Sequence, residues 1–160
     1  PGELCIAGDG LFWGYYKKPQ ANRESFRGKW FRTGDVAVMD ADGYVYIHDR
    51  VKDMIISGGE NVYPAEVESS IYGHPAVLEV AVIGVPDDRW GEAVKAVCVP
   101  KPGTQIDADD VIAWAREKIA GFKVPKSIDI IEALPRNASG KILRKDLRAP
   151  YWAGRDRQVN

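Results

Sequence analysis

The sequence predicts an α+β protein with a β-rich beginning, followed by alternating strands and helices. Three observations predict this class. A stretch with two-residue alternation surrounds the pair Asp42-Gly43, which indicates an antiparallel hairpin. Two longer apolar runs, 77–85 and 92–99, indicate strands, and two further segments place apolar residues one helical turn apart. After the hairpin, the predicted order is β-β-α-β-β-α-β-α.

The first third of the chain is predicted to consist of strands and one polar loop. A short strand is expected over 4–8, where an apolar run ends at glycine. The polar stretch 17–27 predicts a loop that can include one helical turn. Hairpin strands are predicted over 30–39 and 43–48, because apolar residues alternate with polar ones on both sides of the turn. The charged residues 49–53 break this pattern and mark the expected boundary between two parts of the chain.

A second, shorter hairpin and a helix are predicted next. The strand 54–57 is expected to turn back at Gly58-Gly59, because paired glycines accept the backbone angles of tight turns. A helix should begin at Pro64 and end near Gly73, since proline favours the first helical position and glycine commonly follows the last. The apolar positions on its inner side are Val67 and Ile71.

The last third is predicted to contain two helices and one strand. Asp107 is expected to cap a helix that runs to about Ala120. The apolar stripe of that helix consists of Val111, Ala115 and Ile119. A last strand is predicted over 127–132, a short helix over 141–147, and a poorly packed tail over 151–160.

The composition excludes several classes of function. The 160 residues carry 22 basic and 23 acidic side chains, so no excess positive charge is present to attract nucleic acid or an anionic membrane. Cys5 and Cys98 are too far apart and too few for a disulfide framework or a metal site. We therefore expect a cytoplasmic protein without a structural metal or a transmembrane segment. The sequence begins within a strand pattern and without methionine, which suggests a piece of a longer protein.

Three polar clusters are candidates for binding, and each has an ordinary structural interpretation as well. Asp35 follows Thr-Gly at a strand bend, where it can accept hydrogen bonds from a vicinal diol such as a ribose or merely cap a turn. The pair Asp49-Arg50 can act at a hinge or form a surface ion pair. The pair Gly58-Gly59 can let a ligand approach the backbone closely or form a plain hairpin turn.

A fourth cluster surrounds Lys141, which follows a Ser-Gly step. It is not a Walker A phosphate loop, because Pro135 stands where that loop needs glycine and Ile142 stands where it needs serine or threonine. A lysine on a flexible loop can still bring a mobile positive charge to a phosphate or carboxylate. Alone, such a lysine is more commonly a solvated surface residue.

The order of these clusters adds information that no single cluster provides. The motifs are, in chain order, Gly2–Gly8 with Gly14-Tyr15, Phe31–Asp35, Asp42–Tyr44, Asp49–Asp53, Ser57–Glu68 and Gly140-Lys141. Together they resemble the closing motifs of the adenylate-forming superfamily, which includes acyl-CoA synthetases, peptide-synthetase adenylation domains and firefly luciferase. The resemblance extends through Leu147, and the sequence Ser-Gly-Gly-Glu-Asn-Val-Tyr-Pro is most similar to the fatty-acyl and aryl-CoA ligase branch.

The resemblance implies a division into domains. Residues 1–49 would be the last β-strands of a large N-terminal adenylation domain. Residues 50–150 would be a small, mobile C-terminal lid domain, with a short antiparallel hairpin and a central mixed sheet flanked by helices. Residues 151–160 would be a tail.

The resemblance also implies an activity, in which a carboxylic acid and ATP form an acyl-adenylate whose acyl group then passes to CoA. The implied roles are catalysis by Lys141, nucleotide binding by Asp35, Arg50, Lys52 and Asn61, a hinge at Asp49, and binding of the CoA pantetheine arm by Ser57, Gly58 and Gly59. ATP or AMP, CoA and Mg²⁺ would be bound mainly by an N-terminal domain that this sequence lacks. No metal ligand is assigned to these 160 residues.

The missing N-terminal domain leaves alternatives open. The phosphate loop and the acyl pocket of the family lie in that domain, so the 160-residue chain alone is expected to be inactive, and its acyl substrate is not determined. One alternative is an adenylation domain of a peptide synthetase, which loads a carrier protein. Another is a non-catalytic lid or interaction module that pairs with a separate partner.

Overall fold

The computed structural model describes residues 1–155, and the chain divides into two compact units, the first ending at Lys52 and the second beginning at Asp53. Each unit combines strands with short helices, so the α+β class is confirmed. Within the described residues, no helix has both the length and the apolar character needed to cross a membrane.

The first unit is an antiparallel sheet with one helix beside it. Its elements are β1 (Gly2–Ile6), α1 (Pro19–Ser25), β2 (Phe26–Arg27), β3 (Trp30–Met39) and β4 (Val45–Arg50). The strand β3 pairs antiparallel with each of the other three strands. The helix α1 has seven residues, and so it is longer than the single turn predicted for this stretch.

The predicted hairpin between β3 and β4 is confirmed. In its turn, the Asp40 carboxylate accepts hydrogen bonds from the backbone N–H groups of Asp42 and Tyr44, at 3.0 and 2.9 Å. Gly43 has a φ of 86°, a conformation that glycine adopts without strain. The strand β4 extends further than predicted, because Asp49 and Arg50 continue the pairing with β3 instead of forming a charged break.

The second unit follows the predicted order of elements. A 3₁₀ helix (Val51–Asp53) spans the boundary, and the unit continues with β5 (Ile55–Ser57), β6 (Glu60–Val62), α2 (Pro64–Tyr72), β7 (Val77–Asp87), β8 (Gly91–Pro100), α3 (Ala108–Arg116), β9 (Ser127–Ile130) and α4 (Arg144–Arg148). The sheet order is β6-β5-β8-β7, with β9 parallel to β8 and the other pairings antiparallel. The predicted mixed sheet is therefore confirmed.

The long antiparallel pair β7–β8 separates two hydrophobic cores. Its register runs from Val77 opposite Pro100 to Asp87 opposite Gly91. One face packs against α2 and α3 through a core that includes Val82, Ala96, Ile71 and Val111. The other face packs against the C-terminal part of the chain through a core that includes Ile83, Val97, Leu134 and Leu147. Both strands are almost continuously apolar because both of their faces are buried.

Helices α2 and α3 begin where the sequence predicts. Val67 and Ile71 of α2 are fully buried, as predicted. Asp107 caps α3 by accepting a hydrogen bond from the Asp109 N–H at 2.9 Å. The helix α3 ends at Arg116 and not near Ala120; beyond it, the Ala115 carbonyl accepts the N–H groups of both Lys118 and Ile119, at 2.9 and 3.1 Å.

The region after β9 differs most from the predictions. The strand β9 ends at Ile130, two residues earlier than expected. The helix α4 begins at Arg144 instead of Lys141, because the N–H of Leu143 bonds back to the carbonyl of Pro135 and keeps the intervening residues in a loop. The tail prediction was wrong for its first residues, since Tyr151 packs against the second core and Trp152 Nε1 donates to the Gly84 carbonyl at 2.9 Å. The remainder, 156–160, lies outside the described residues.

A buried lysine on β8 explains why the tail packs. Lys95 Nζ lies 2.5 Å from the Asp129 carboxylate and 5.1 Å from the centre of the Tyr151 ring. The Tyr151 hydroxyl donates a hydrogen bond to the other oxygen of Asp129. Burial raises the pKa of Asp129, but the hydrogen bonds from Lys95 and Tyr151 outweigh this effect and lower it below its usual range. Burial and the neighbouring carboxylate raise the pKa of Tyr151 to about 12.

This hydrogen bond predicts a loss of stability at high pH. The Tyr151 pKa is about 12 in the folded protein and 10.0 for an ordinary tyrosine, so the folded state retains the phenolic proton longer than the unfolded state does. Its contribution is complete below pH 10 and disappears as the pH rises towards 12. We expect Tyr151→Phe to flatten the dependence of the urea midpoint on pH in this window. Tyr72→Phe, at an exposed position, is the control. Equal pH slopes for the two variants would contradict the prediction.

Candidate functional site

The structure brings Asp35 and Arg50 together in the first unit. The two residues are directly opposite each other on β3 and β4, and Arg50 Nε lies 2.9 Å from Asp35 Oδ1. The guanidinium also donates from Nη1 to the Thr33 carbonyl at 3.3 Å. About a fifth of the Asp35 side chain is exposed, so a ligand can reach the carboxylate. A carboxylate fixed in this way can accept hydrogen bonds from two neighbouring hydroxyl groups.

The residues before Asp35 explain its orientation. The Thr33 hydroxyl donates to the Leu4 carbonyl at 2.9 Å and accepts from the Asp35 N–H at 3.1 Å, so it links β1 to the bend that carries the carboxylate. Gly34 has a φ of 74°, which an L-residue adopts only with strain. The Thr33-Gly34-Asp35 sequence therefore forms a bend in β3 that fixes the orientation of Asp35.

The Gly58-Gly59 turn connects β5 to β6 in the second unit. Both glycines have positive φ angles, 61° and 86°, which match the mirror-image turn typical of two-residue hairpins. The two glycines nevertheless differ in their surroundings. A Cβ atom at Gly58 would lie 2.7 Å from Cε3 of Trp90, whereas a Cβ atom at Gly59 would meet no other atom within 4 Å. Gly59 is thus the exposed tip, while Gly58 makes room for an aromatic ring.

The hairpin is attached to the sheet by residues that the sequence did not single out. The Gly58 N–H donates to the Trp90 carbonyl at 2.8 Å. The Ile56 N–H donates to Oε2 of Glu92, a carboxylate that is only 4% exposed. Gly84 leaves the space for that carboxylate, since a Cβ atom there would lie 2.7 Å from Oε2. Trp90 and Glu92 are 32 and 36 residues further along the chain than Gly58 and Ile56, and no local pattern indicates them.

Lys141 lies in a compact loop organised by Asn137. The Asn137 side chain accepts hydrogen bonds from the backbone N–H and hydroxyl of Ser139 and from the N–H of Lys141, at 2.8–3.0 Å. The Asn137 N–H donates to the Lys141 carbonyl at 3.0 Å, so the backbone of the lysine is fixed on both sides. The Lys141 residue is exposed. The sequence predicted a flexible loop; the structure shows a fixed backbone with an exposed side chain. The Asn-Ala-Ser-Gly sequence, typical of turns closed by asparagine, was the available signal.

Arg136 tethers this loop to β7. Its guanidinium donates to the Gly140 carbonyl at 2.6 Å across the loop and to Glu79 Oε1 at 2.5 Å. Glu79 lies near the start of β7, opposite Val99 of β8. The loop that carries Lys141 is therefore attached at the end of the β7–β8 pair that contains Val77 and Pro100.

The glycine hairpin is attached at the opposite end of the same pair. Ser57 pairs with Gly91, and Gly91 pairs with Asp87, the last residue of β7. Since a strand rises by about 3.3 Å per residue, Glu79 and Asp87 lie roughly 26 Å apart along β7. The loop that carries Lys141 and the glycine hairpin thus lie at opposite ends of one strand pair.

The remaining predicted site residues lie near these features. Asn61 is exposed on β6, opposite Ile56, and Lys52 is exposed in the 3₁₀ helix. Asp49 lies within β4, paired with Val36, and its carboxylate accepts a hydrogen bond from the Arg50 N–H at 2.7 Å. Of the nucleotide-binding candidates, Asp35 and Arg50 form an ion pair.

Residues 1–155 contain no group of three or more histidine, cysteine, aspartate or glutamate side chains arranged to bind a metal ion. Burial raises the pKa of Cys98 to about 11, so this thiol is not a nucleophile near neutral pH.

Comparison with known proteins connects this geometry to a family. The family model of the AMP-binding enzyme C-terminal domain matches residues 66–141. A feruloyl-CoA synthase from an Amycolatopsis species is 54% identical over 150 residues, which are 94% of this chain and 30% of the relative. A fatty acid–[acyl-carrier-protein] ligase, ScoC, from Streptomyces coeruleorubidus is 45% identical over 159 residues, which are 99% of this chain and 31% of the relative.

A solved structure supports the same relationship. The o-succinylbenzoate CoA synthetase MenE from Bacillus subtilis, in complex with its acyl-adenylate intermediate, superposes with a TM-score of 0.85 and 40% identity over 91% of this chain and 30% of that one. The chain spans about 30% of the length of the curated relatives that it matches. It therefore belongs to the adenylate-forming, AMP-binding enzyme family, as a C-terminal portion that includes the family's C-terminal domain.

Proposed function

We propose that this chain is the C-terminal part of an AMP-forming acid–thiol ligase, which makes an acyl-adenylate from a carboxylic acid and ATP and then transfers the acyl group to CoA. The observation that supports this proposal most directly is the arrangement of the β7–β8 pair. Lys141 is attached near Glu79 at one end, and the Gly58-Gly59 turn is attached near Gly91 at the other. A single rotation of the unit can therefore exchange one segment for the other at a fixed active site.

Lys141 suits the first half-reaction. A carboxylate that attacks the α-phosphate of ATP brings two anions together, so a cation between them lowers the energy of the transition state. The Lys141 residue is exposed while its backbone is fixed by Asn137, a combination that lets the ammonium group enter an active site on another domain with little loss of position. We assign to it contacts with the substrate carboxylate and the α-phosphate.

The glycine hairpin suits the second half-reaction. A thiol on a long pantetheine arm needs a narrow path to the acyl-adenylate, and backbone without side chains can line such a path closely. Gly59 is the tip with open space around its Cα, and Ser57 and Gly58 are fixed behind it by the pairing with Gly91 and by Trp90. We assign Ser57, Gly58 and Gly59 to the pantetheine channel.

The first unit supplies nucleotide contacts in this proposal. Asp35, fixed by Arg50, accepts hydrogen bonds from the ribose hydroxyls of ATP. Lys52, at the end of the first unit, and Asn61, in the second unit, approach the nucleotide in one of the two orientations of the second unit. Mg²⁺ accompanies ATP and is bound outside these residues. Residues 1–49 then correspond to the last strands of the N-terminal domain and 50–150 to the mobile domain.

The hinge expected at Asp49 is proposed to lie just after that residue. Asp49 itself is restrained by its pairing with Val36 in β4. The first residues beyond β4 are those of the 3₁₀ helix Val51–Asp53, and the boundary between the two compact units falls after Lys52. Backbone rotation requires residues outside a hydrogen-bonded ladder, so we place the rotation in this segment.

A carrier protein is the second candidate for the thiol acceptor. The ScoC relative is named for an acyl-carrier-protein substrate and matches 99% of this chain. CoA and a carrier protein both present the thiol on a phosphopantetheine arm, so the same hairpin suits both. Comparing thioester formation with CoA and with a phosphopantetheinylated carrier protein, at equal thiol concentration, would separate the two possibilities.

The role of Lys141 predicts a selective defect in the full-length ligase. We expect Lys141→Ala to lower acyl-adenylate formation by about a hundredfold or more, because the charge that offsets the two anions is lost. Thioester formation from supplied acyl-adenylate should stay within about twofold of the wild type. ATP–pyrophosphate exchange measures the first step, and a thiol-trapping assay measures the second. Equal losses in both steps would refute the assignment.

Gly59 predicts the opposite defect. A leucine at this exposed tip would project into the pantetheine channel, so we expect Gly59→Leu to slow thioester formation at least tenfold and to leave adenylation within about twofold. The matched control is Gly103→Leu, because Gly103 also has a positive φ, 76°, with open space around it, in a different turn. If both variants behaved alike, backbone strain and not the channel would explain the result.

The chain by itself is expected to be inactive. Residues 1–160 lack the part of the family that contains the phosphate loop, so we expect no ATP–pyrophosphate exchange above background. Activity that returned when a separate N-terminal polypeptide was added would favour the alternative of a lid module that pairs with a partner. Exchange catalysed by the chain alone would contradict the domain assignment.

A further inference from the structure

A buried cluster of two arginines and two carboxylates lies next to the Lys141 loop. It consists of Arg144 and Arg148 from α4, Asp53 from the start of the second unit, and Glu68 from α2. Each of the four side chains is less than a fifth exposed. No catalytic or binding role was assigned to any of the four from the sequence, although Asp53 and Glu68 are the last residues of two of the motifs.

Arg144 and Glu68 form the best-defined contact of this cluster. Arg144 Nη2 lies 2.8 Å from both carboxylate oxygens of Glu68, and its Nε lies 3.3 Å from Oε1. Glu68 is itself oriented by the backbone, since its Oε1 accepts the Val82 N–H at 2.8 Å. Glu68 therefore connects Arg144 directly to the backbone of β7.

Asp53 extends the cluster towards the proposed hinge. Its carboxylate lies 3.9 Å from Arg144 Nη1 and 3.6 Å from Arg148 Nη1. Asp53 is the first residue of the second unit and follows directly after Lys52. The guanidinium groups of Arg144 and Arg148 thus face Asp53, the first residue of the second unit. Both arginines belong to α4, the helix that follows Lys141.

Two ion pairs flank Lys141, and they differ in the strength expected of them. The Arg136–Glu79 pair is about 40% exposed on both sides, and ion pairs of this kind contribute little to position because water competes for them. The Arg144–Glu68 pair is under 20% exposed on both sides and has bidentate geometry. Arg144 is three residues after Lys141, so its anchor is the stronger restraint on the lysine.

We propose that Arg144, oriented by Glu68, is a positioning residue for Lys141, and that the cluster with Asp53 and Arg148 fixes the lysine loop relative to the hinge. This inference rests on the proposed function. Rotation of the unit then carries Lys141 into place as part of a rigid body. Without the anchor, the loop loses its register on β7, and its internal hydrogen bonds to Asn137 open more often.

The test uses the full-length ligase and both half-reactions. We expect Arg144→Gln to lower adenylation at least tenfold, because displacements of about 1 Å in a catalytic group cost rate on this scale. Thioester formation from supplied acyl-adenylate should remain within twofold. Arg144→Lys retains the charge without the bidentate fork and should recover part of the loss. Lys145→Gln, which removes one positive charge from an exposed position of the same helix, is the matched control and should leave both steps within twofold.

A double-mutant cycle identifies the partner. Glu68→Gln retains an acceptor for the Val82 N–H but weakens the contact with Arg144. If the arginine acts through Glu68, the double variant should be little worse in adenylation than either single variant. Additive losses would overturn the pairing, and an equal loss in both half-reactions would show a merely structural role. If Arg144→Gln does not fold, Arg144→Lys and the Glu68→Gln variant still provide this comparison.

Hydrogen exchange separates this proposal from the proposed function. In the same full-length protein, peptides that cover 137–143 should exchange faster in Arg144→Gln than in the wild type, while Lys145→Gln should not change them. If the wild-type full-length protein catalysed neither adenylation nor thioester formation, the proposed function would be refuted, but the anchoring of the loop would not. Unchanged exchange over 137–143 would refute the anchoring itself.

Discussion

The pairing of β7 with β8 is the constraint on which the second unit depends. The two strands stay in register from Val77–Pro100 to Asp87–Gly91, and each contributes apolar side chains to both faces. Helices α2 and α3 cover one face, while Leu134, α4 and Tyr151 cover the other. A change in this register by one residue would move every buried side chain to the wrong core. The helices, the lysine loop and the glycine hairpin are all attached to this pair.

The outer edge of β7 is covered by side chains instead of another strand. Within the described sheet β7 is an edge strand, and exposed edges invite pairing with other chains. Two side chains occupy its backbone groups instead: Glu68 accepts the Val82 N–H, and Trp152 donates to the Gly84 carbonyl. The first of these contacts also orients Arg144. Protection of the edge and placement of the helix after Lys141 therefore depend on the same glutamate.

Local sequence patterns predicted the elements well but not the long-range contacts. Asp42-Gly43, Pro64 and Asp107 each act through neighbours a few residues away, so the hairpin turn and two helix starts were predictable. The sequence predicts Lys95 only as part of an apolar strand, because its partners Asp129 and Tyr151 lie 34 and 56 residues further along the chain.

The candidate site shows the same division. The order of motifs predicted Asp35, Arg50, the glycine pair and Lys141, and the structure adds the reasons for their geometry. Trp90 and Glu92 stand in a loop and a strand without a distinctive pattern, and their role appears only when Gly58 and Ile56 are seen beside them. The fixed backbone of the Lys141 loop depends on the three hydrogen bonds that the Asn137 side chain accepts, and the Ser-Gly step alone does not indicate them.

Because Leu147 and Tyr151 belong to the second core, the second unit can finish folding only after these late residues have been synthesised. The glycine hairpin, its supports on β8 and the first core are all made before residue 131. The second core still lacks Ile142, Leu147 and Tyr151 at that point. Because domains acquire their structure as the chain emerges, the face that carries Lys141 is the last to form. A polypeptide halted between Lys141 and Tyr151 would possess its lysine but not the packing that places it.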